Sequence, residues 1–174
     1  MRVARGTAVI EIRRARTSDV KAIRALVDTY TADRRLLSKA TVTLYESVQE
    51  FWVAVEPGRQ RVVGCGALHV MWEDLAEIRT VAVDPTCRGQ KIGHRIVSAL
   101  LEVAREVGVA RVFCLTFETG FFGSFGFTEI DGAPVPHAVY EQLLRSYDEG
   151  VAEFLDLERV KPNTLGNRRM LLHL

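Results

Sequence analysis

The sequence lacks the paired motifs from which metal centres and disulfide frameworks are built. Its three cysteines, Cys65, Cys87 and Cys114, are odd in number and far apart, no CxxC pair occurs, and the four histidines are scattered. Such spacings favour neither a zinc site nor a set of disulfides. We therefore expect no metal, and we expect Cys65 and Cys114, which lie in apolar runs, to be small core residues.

A charge imbalance and long apolar runs are missing as well. Lysine and arginine number 23 against 22 for aspartate and glutamate, so net charge favours neither nucleic acid nor an anionic membrane as a partner. Charged residues interrupt the N-terminal segment, and no apolar stretch reaches the length of a membrane span. The resulting expectation is a soluble cytoplasmic protein that binds neither nucleic acid nor membrane.

What the chain does have is a continuous pattern of strands and helices over 174 residues, which predicts a single domain spanning 1–174. Strands at 51–55 and 61–70 form a predicted hairpin. A strand at 76–83, a helix at 92–107 and a strand at 109–115 form a βαβ unit. This order predicts an α+β fold with a mixed, mostly antiparallel central sheet, a βαβ core and flanking helices. Further predicted elements are strands at 9–14, 127–130 and 170–172, and helices from Val20, at 41–49, at 121–124 and at 139–147.

The segment from Glu77 to Gly93 carries the clearest chemical pattern. It reads as a strand, a sharp stop at Asp84-Pro85, a basic loop with two glycines, and the start of a helix. The free N–H groups at a helix N-terminus favour an anion, and glycines let the backbone approach a ligand closely. The pattern therefore predicts a phosphate-binding loop, although an ordinary βα turn with surface cations would look the same. It matches neither the P-loop nor the dinucleotide fingerprint.

The same segment resembles motif A of the GCN5-related N-acetyltransferases (GNATs), in which R/Q-x-x-G-x-G/A follows a strand ending in V-x-P. Lys91 stands where the first motif glycine usually falls. Downstream, the stretch 122–127 (FGSFGF) resembles motif B of the same family. The resemblance implies the GNAT fold and acetyl-CoA as co-substrate. It implies cofactor contacts from Val81, Ala82, Val83, Arg88, Gly89, Gln90, Lys91, Ile92, Gly93 and Phe122.

A narrower resemblance links the chain to the acetyltransferase domain of bacterial N-acetylglutamate synthases. The stretches that carry it are 12–15 (IRRA), 36–39 (LLSK), 64–68 (GCGAL), 77–85 and the tail 168–172. It implies a small amino acid as the partner substrate. Transfer of acetyl from acetyl-CoA to the α-amino group of L-glutamate, the first step of arginine biosynthesis, is the implied reaction, with glutamine or another amino acid as alternative acceptor.

The resemblance also implies roles for individual side chains. Glu77 is the expected general base that takes a proton from the substrate ammonium, although a salt bridge with Arg79 would be an ordinary structural role. Lys39 and Arg168 are the expected contacts for the substrate carboxylates. Strand alternation adds Arg79 as a further expected substrate contact, because it lies two residues from Glu77 on the same strand face. Phe122 stands where many relatives carry a tyrosine that protonates the leaving thiolate, so no side-chain acid is expected.

Two other functions stay open on the sequence alone. A protein or peptide N-acetyltransferase would use the same scaffold with an open groove, and it would not need cations at Lys39 and Arg168. A non-catalytic acetyl-CoA sensor would keep the loop and would not need Glu77. The oligomeric state is open too, with a homodimer as one arrangement compatible with the sequence.

Overall fold

The computed structural model describes residues 9–31 and 39–174. The strands of these residues form one seven-stranded sheet in the order β1-β2-β3-β4-β5-β7-β6. Their bounds are β1 Glu11–Arg14, β2 Phe51–Glu56, β3 Arg61–Trp72, β4 Leu75–Val83, β5 Arg111–Thr116, β6 Thr128–Glu129 and β7 Arg168–His173. Only β4 and β5 pair in parallel within this sheet. The predicted mixed, mostly antiparallel sheet with a βαβ core is therefore confirmed.

Helices cover both faces of the sheet. They are α1 Val20–Thr31, α2 Thr41–Glu46, α3 Ile92–Val107, α4 Thr119–Gly123, α5 His137–Leu143, α6 Glu149–Phe154 and α7 Lys161–Thr164. Helix α3, which joins β4 to β5, buries an apolar stripe against one face. Helix α1 packs on the other face beside β2 and β3, and α6 packs there beside β5. None of the described helices is long and apolar enough to cross a membrane.

Strand β4 diverges from its neighbour β5 after a short pairing. The register runs Leu75 with Arg111, Ala76 with Val112, and Glu77 with Phe113, and it stops there. On its other side β4 continues to pair with β3 as far as Val83. A V-shaped opening therefore begins directly after Glu77.

A bulge lies in β4 within this opening. The register between β3 and β4 shifts between Cys65 and Ala67, and Thr80 opposite this shift has a φ of 58°. A left-handed backbone is rare for a β-branched residue, and bulges of this kind bend a strand and re-aim its side chains. The bulge lies between Glu77, the predicted general base, and residues 81–83, the predicted cofactor contacts. The strand therefore changes direction between these two parts.

The sequence predictions are accurate in the first two-thirds of the chain and poorer after it. Helix α3 has the predicted bounds, whereas the helix predicted at 139–147 ends at Leu143. Helix α6 was not predicted. It has only six residues, begins with Asp148 accepting a hydrogen bond from the Val151 amide, and is followed by short turns. Such short helices carry little periodicity, and their stability comes from tertiary packing.

Candidate active site

The loop between β4 and α3 is held by its own polar contacts. The Asp84 carboxylate accepts hydrogen bonds from the Thr86 amide at 2.9 Å and the Thr86 hydroxyl at 2.7 Å. Arg61 lies 3.3 Å from the other Asp84 oxygen and also pairs with Glu56. These contacts fix the turn at the end of β4, so the chain enters the basic loop in a defined direction.

The basic loop presents cations at the N-terminus of α3. Arg88, Gln90 and Lys91 are exposed, and among the described residues neither Arg88 nor Lys91 has an ion-pair partner. Gly89 has a φ of 81°, and Lys91, which precedes the helix, has a φ of 55°. Ile92 is buried and anchors the first turn. Because the first N–H groups of a helix have no partner within it, the loop can hold a phosphate group.

Phe122 lies away from this loop. It is 6% exposed and packs edge-to-face against Phe121 and Phe127 inside the core. The neighbouring Phe121 is the aromatic residue beside the loop, since its ring lies about one van der Waals contact from the position that a β-carbon on Gly93 would occupy. The cofactor contact predicted for Phe122 stays a prediction, and the side chain of Phe121 lies nearer to the basic loop than that of Phe122.

The end of β4 offers a backbone edge to which no described strand is paired. The Asp84 amide donates to the Val63 carbonyl of β3 at 2.8 Å. Since amide groups alternate between the two sides of a strand, the Val83 carbonyl points away from β3, and it accepts a hydrogen bond from the Tyr30 hydroxyl of α1. Among the described strands, none pairs with this side of residues 78–83. An extended ligand arm can therefore bind along Val81, Ala82 and Val83.

Glu77 lies where the opening begins. It is 3% exposed, and its Oε2 atom is 3.3 Å from Nε of Arg79. Neither atom has a hydrogen-bond partner among the described residues. Burial raises the pKa of Glu77, although the charge of Arg79 opposes this shift. A buried carboxylate with a raised pKa is suited to accept a proton near neutral pH.

Arg79 is engaged by helix α6. Its two terminal nitrogens donate to the Asp148 carboxylate at 2.9 and 3.0 Å, a bidentate ion pair. Burial tends to raise the pKa of Asp148, but the bonds and charge of Arg79 outweigh it and hold that pKa below its ordinary value. Asp148 also caps α6, so this pair fastens the helix to β4. His69 lies between Glu50, at 2.7 Å, and Asp148, at 3.8 Å.

Two residues of α6 complete the buried cluster, and the sequence pattern did not identify them. A β-carbon on Gly150 would collide with Oε2 of Glu77, so any larger residue would force the Glu77 carboxylate or the helix to shift. Glu153, one turn further on, is 7% exposed. Burial and the charge of Glu77 raise the pKa of Glu153 to about 7. The glycine beside Asp148 and Glu149 was visible in the sequence, but nothing there links it to β4.

Lys39 lies two residues before α2 and is partly buried. Its carbonyl accepts a hydrogen bond from Arg24 at 2.9 Å, which fixes its backbone. Its positive charge lowers the pKa of both Glu77 and Glu153. Within residues 9–31 and 39–174, Lys39 has no ion-pair partner. The rest of the motif to which it belongs, 36–38, lies outside the described residues.

Arg168 lies apart from this cluster. Its side chain is 66% exposed, and its Nε atom is 3.9 Å from Glu129. Its neighbour Arg169 lies over the ring of Phe113, the residue that pairs with Glu77, and therefore occupies the Glu77 side of the sheet. Because strand side chains alternate, Arg168 faces the opposite side. The structure thus brings Lys39, Glu77 and Arg79 together and leaves Arg168 out.

Comparisons with known proteins agree with this geometry. The family model described as Acetyltransferase (GNAT) family matches residues 18–127, which include the loop and Glu77. The chain belongs to the GNAT family. A relative named amino-acid acetyltransferase, from Mycobacterium tuberculosis, is 65% identical over 162 residues, which is 92% of either chain.

Solved GNAT structures share the fold. The crystal structure of Rv2747 from Mycobacterium tuberculosis, in complex with CoA and NLQ, has a TM-score of 0.91 at 65% identity and covers 94% of this chain and 99% of that one. The N-acetylglutamate synthase of Neisseria gonorrhoeae, complexed with coenzyme A and N-acetyl-glutamate, has a TM-score of 0.74 at 23% identity, with 97% of this chain and 36% of that one covered. The second likeness shows the fold alone.

These findings confirm the predicted GNAT fold, the acyltransferase class and acetyl-CoA as co-substrate. They do not test the individual site residues, which stay predictions supported by the geometry above.

Proposed function

We propose that this GNAT enzyme transfers acetyl from acetyl-CoA to the α-amino group of a free amino acid, L-glutamate, as the first step of arginine biosynthesis. One observation carries the proposal. Lys39, a cation without an ion-pair partner among the described residues, lies close enough for its charge to act on the buried carboxylate of Glu77, which lies where β4 and β5 part. An amino acid has the complementary charges, a carboxylate for Lys39 and an ammonium for Glu77. The name of the 65% identical relative, amino-acid acetyltransferase, supports the same class of acceptor.

The cofactor would lie along the end of β4. Arg88, Lys91 and the N-terminus of α3 hold the pyrophosphate, and the free edge of Val81–Val83 pairs with the pantetheine arm. This places the thioester in the opening that begins at Glu77. A backbone N–H of the same edge polarises the thioester carbonyl as negative charge develops on its oxygen.

Glu77 would then prepare the nucleophile. The acceptor amine is an ammonium near neutral pH, so it must lose a proton before it attacks the thioester. Direct attack needs no acyl-enzyme, and Cys87 is suited to no such role because its side chain is buried. A thiol has a reference pKa of about 8.5, so the CoA thiolate can leave without a side-chain acid at Phe122.

The two arginines predicted to bind the substrate, Arg79 and Arg168, have different surroundings in the structure. Arg79 already binds Asp148 with both terminal nitrogens, so we propose that it orients α6 and the acceptor side of the site. Arg168 would need a substrate group that extends to the other side of the sheet. The single-domain organisation, the cytoplasmic location and a homodimer stay predictions from the sequence.

Glutamine is a second candidate acceptor, and a specific observation favours it. Among the described cations on the Glu77 side of the sheet, Arg79 is neutralised by Asp148 and Arg169 is held by main-chain carbonyls, which leaves Lys39 to bind a carboxylate. One such cation suits an acceptor with a single free carboxylate and a neutral side chain. Glutamate would need a second cation for its side chain.

A thiol-release assay with acetyl-CoA and each of the common amino acids tests the proposal. We expect turnover with glutamate or glutamine to exceed that with the others, and N-acetylated glutamate to give none because its amine is blocked. Faster release with a peptide than with any free amino acid would instead identify a peptide acetyltransferase. CoA binding without release for any acceptor would identify the sensor.

A further inference from the structure

Helix α6 brings two residues to the same side of the site. Gly150 contacts Oε2 of Glu77 so closely that a side chain would not fit. Residues three apart lie on one face of a helix, so Glu153 also faces the cluster around Glu77. The helix is held in this position by the Asp148–Arg79 ion pair at its start. At its end, Arg169 donates to the carbonyls of Glu153 and Phe154.

The side chain of Glu153 makes no hydrogen bond or ion pair with the described residues. Its residue is 7% exposed, and its Oε1 atom has no hydrogen-bond partner within the described residues. It caps no helix, and Arg169 bonds to its main-chain carbonyl rather than to its side chain. Because burying a carboxylate without partners costs free energy, such a group points to a ligand or a reaction.

The charges around Glu153 resemble those around Glu77. The charges that act on it are those of Glu77 and Arg79 on β4, of Lys39 just before α2, and of Glu149 on its own helix. Burial and Glu77 raise the pKa of Glu153 to about 7, while Arg79 and Lys39 oppose them. Because the charge of Glu77 opposes ionisation of Glu153, the two carboxylates titrate as a coupled pair.

We propose that Glu153 is a second catalytic carboxylate, which binds the ammonium group of the acceptor together with Glu77 and takes up the proton that this group releases. The proposal rests on the proposed function. One N–H bond of the ammonium breaks, its electron pair stays on nitrogen, and the proton passes to a carboxylate oxygen of the pair. The amine then attacks the thioester, the C–S bond breaks, and the CoA thiolate leaves.

A pH profile of kcat/KM for the acceptor at saturating acetyl-CoA tests the proposal. Glu153→Gln should lower kcat/KM at neutral pH by roughly 10- to 150-fold, the equivalent of a lost charge-assisted hydrogen bond. It should also move the acidic limb of the profile to lower pH, because Glu77 loses its like-charged neighbour. Glu153→Asp, which keeps the charge, should keep the limb near its original position.

Glu149→Gln is the matched control. It removes the same charge from the same helix, but at an exposed position that is paired with Arg159. It should leave kcat/KM within about twofold and shift the limb only slightly, since Glu149 is the weakest of the charges acting on Glu153. A Glu153→Gln profile that coincides with the Glu149→Gln profile would overturn the proposal.

A second measurement uses the unmodified enzyme, so it does not depend on how the variants fold. If the pair shares a proton, binding of an ammonium group must expel it. Calorimetry in buffers of different ionisation enthalpy should show release of about half a proton per acceptor at pH 7, falling to none at high pH. Binding without proton release would refute the pair.

Failure of this inference and failure of the proposed function give different results. If the unmodified chain acetylates an amino acid but Glu153→Gln leaves its profile unchanged, only the carboxylate pair is wrong. If none of the free amino acids leads the unmodified chain to release CoA, the proposed acceptor itself is wrong. The carboxylate pair is then overturned with it.

Discussion

The cofactor loop and the acceptor cluster of this enzyme are built in opposite ways. The loop, residues 84–93, is contiguous in sequence and largely exposed apart from Cys87 and Ile92, and its cations have no ion-pair partner within the described part of the chain. The cluster of Lys39, Glu77, Arg79, Asp148 and Glu153 comes from three distant parts of the chain, and all but Lys39 lie within one network of partly or fully buried charges. The two regions meet along β4.

This difference has an energetic meaning. Exposed charges interact weakly with one another, so little interaction energy within the protein is lost when they bind an anion. Buried charges depend on every partner, because removal of one leaves another without compensation. Substitutions in the loop should therefore act mainly on cofactor affinity, whereas substitutions in the cluster should act on the acceptor, on catalysis and on stability. The predictions below test this contrast.

The largest effect is expected for Glu77→Gln, which keeps the size of the side chain but cannot take a proton. A positioned general base contributes roughly 10²–10⁴-fold, or about 3–5 kcal/mol of barrier. We expect kcat to fall by that amount at neutral pH with CoA affinity nearly unchanged. The loss should shrink as pH rises, because more of the amine is already deprotonated. Full activity across the pH range would make Glu77 structural.

Lys39→Met should act on the acceptor alone. The substitution keeps the aliphatic stem and removes a charge-assisted contact worth about 1.5–3 kcal/mol, so KM for the amino acid should rise roughly 10- to 150-fold. The KM for acetyl-CoA should barely change, since the loop lies elsewhere. Lys21→Met, at an exposed position on α1, is the control and should change neither KM. Equal damage to both KM values would contradict an acceptor role.

Gly150→Ala tests how closely α6 must approach Glu77. The added methyl group would collide with Oε2 of that residue, and overpacking of this kind costs about 1–3 kcal/mol of stability. We expect a lower melting temperature together with a lower kcat. Gly120→Ala adds the same methyl group where no atom lies within 4 Å, so it should preserve both. If the two variants had similar melting temperatures and kcat values, the close approach of α6 to Glu77 would be needed for neither stability nor catalysis.

The smallest effect is expected for Lys91→Gly in the loop. Lys91 has a left-handed φ of 55°, which costs about 1–2 kcal/mol for a residue with a β-carbon, but glycine also loses about 0.5–1 kcal/mol of chain entropy. Stability should therefore rise by at most about 1.5 kcal/mol, while CoA affinity falls because a charge is lost. Gln60→Gly, with a φ of 50° in a remote turn, should show a similar stability change without the loss of affinity. Equal CoA affinity in both variants would remove Lys91 from the phosphate site.

The sequence by itself was sufficient for the loop and for the strand that leads to it. The stop at Asp84-Pro85, the glycines and the apolar stripe of α3 are neighbours in the chain, so their spacing encodes the geometry directly. Glu77 could be recognised for the same reason, because its place is set by its distance from the loop along one strand.

The partners of Glu77 were decided by the tertiary structure. Asp148, Gly150 and Glu153 lie on a six-residue helix whose own pattern is too short to reveal which side it buries or what it packs against. The choice between Arg168 and Arg169 likewise depended on which side of β7 faces Phe113. Local spacing determines turns, caps and periodic faces, because these depend on neighbouring residues. The meeting of buried charges depends on how distant elements pack, and no single stretch of the chain contains that information.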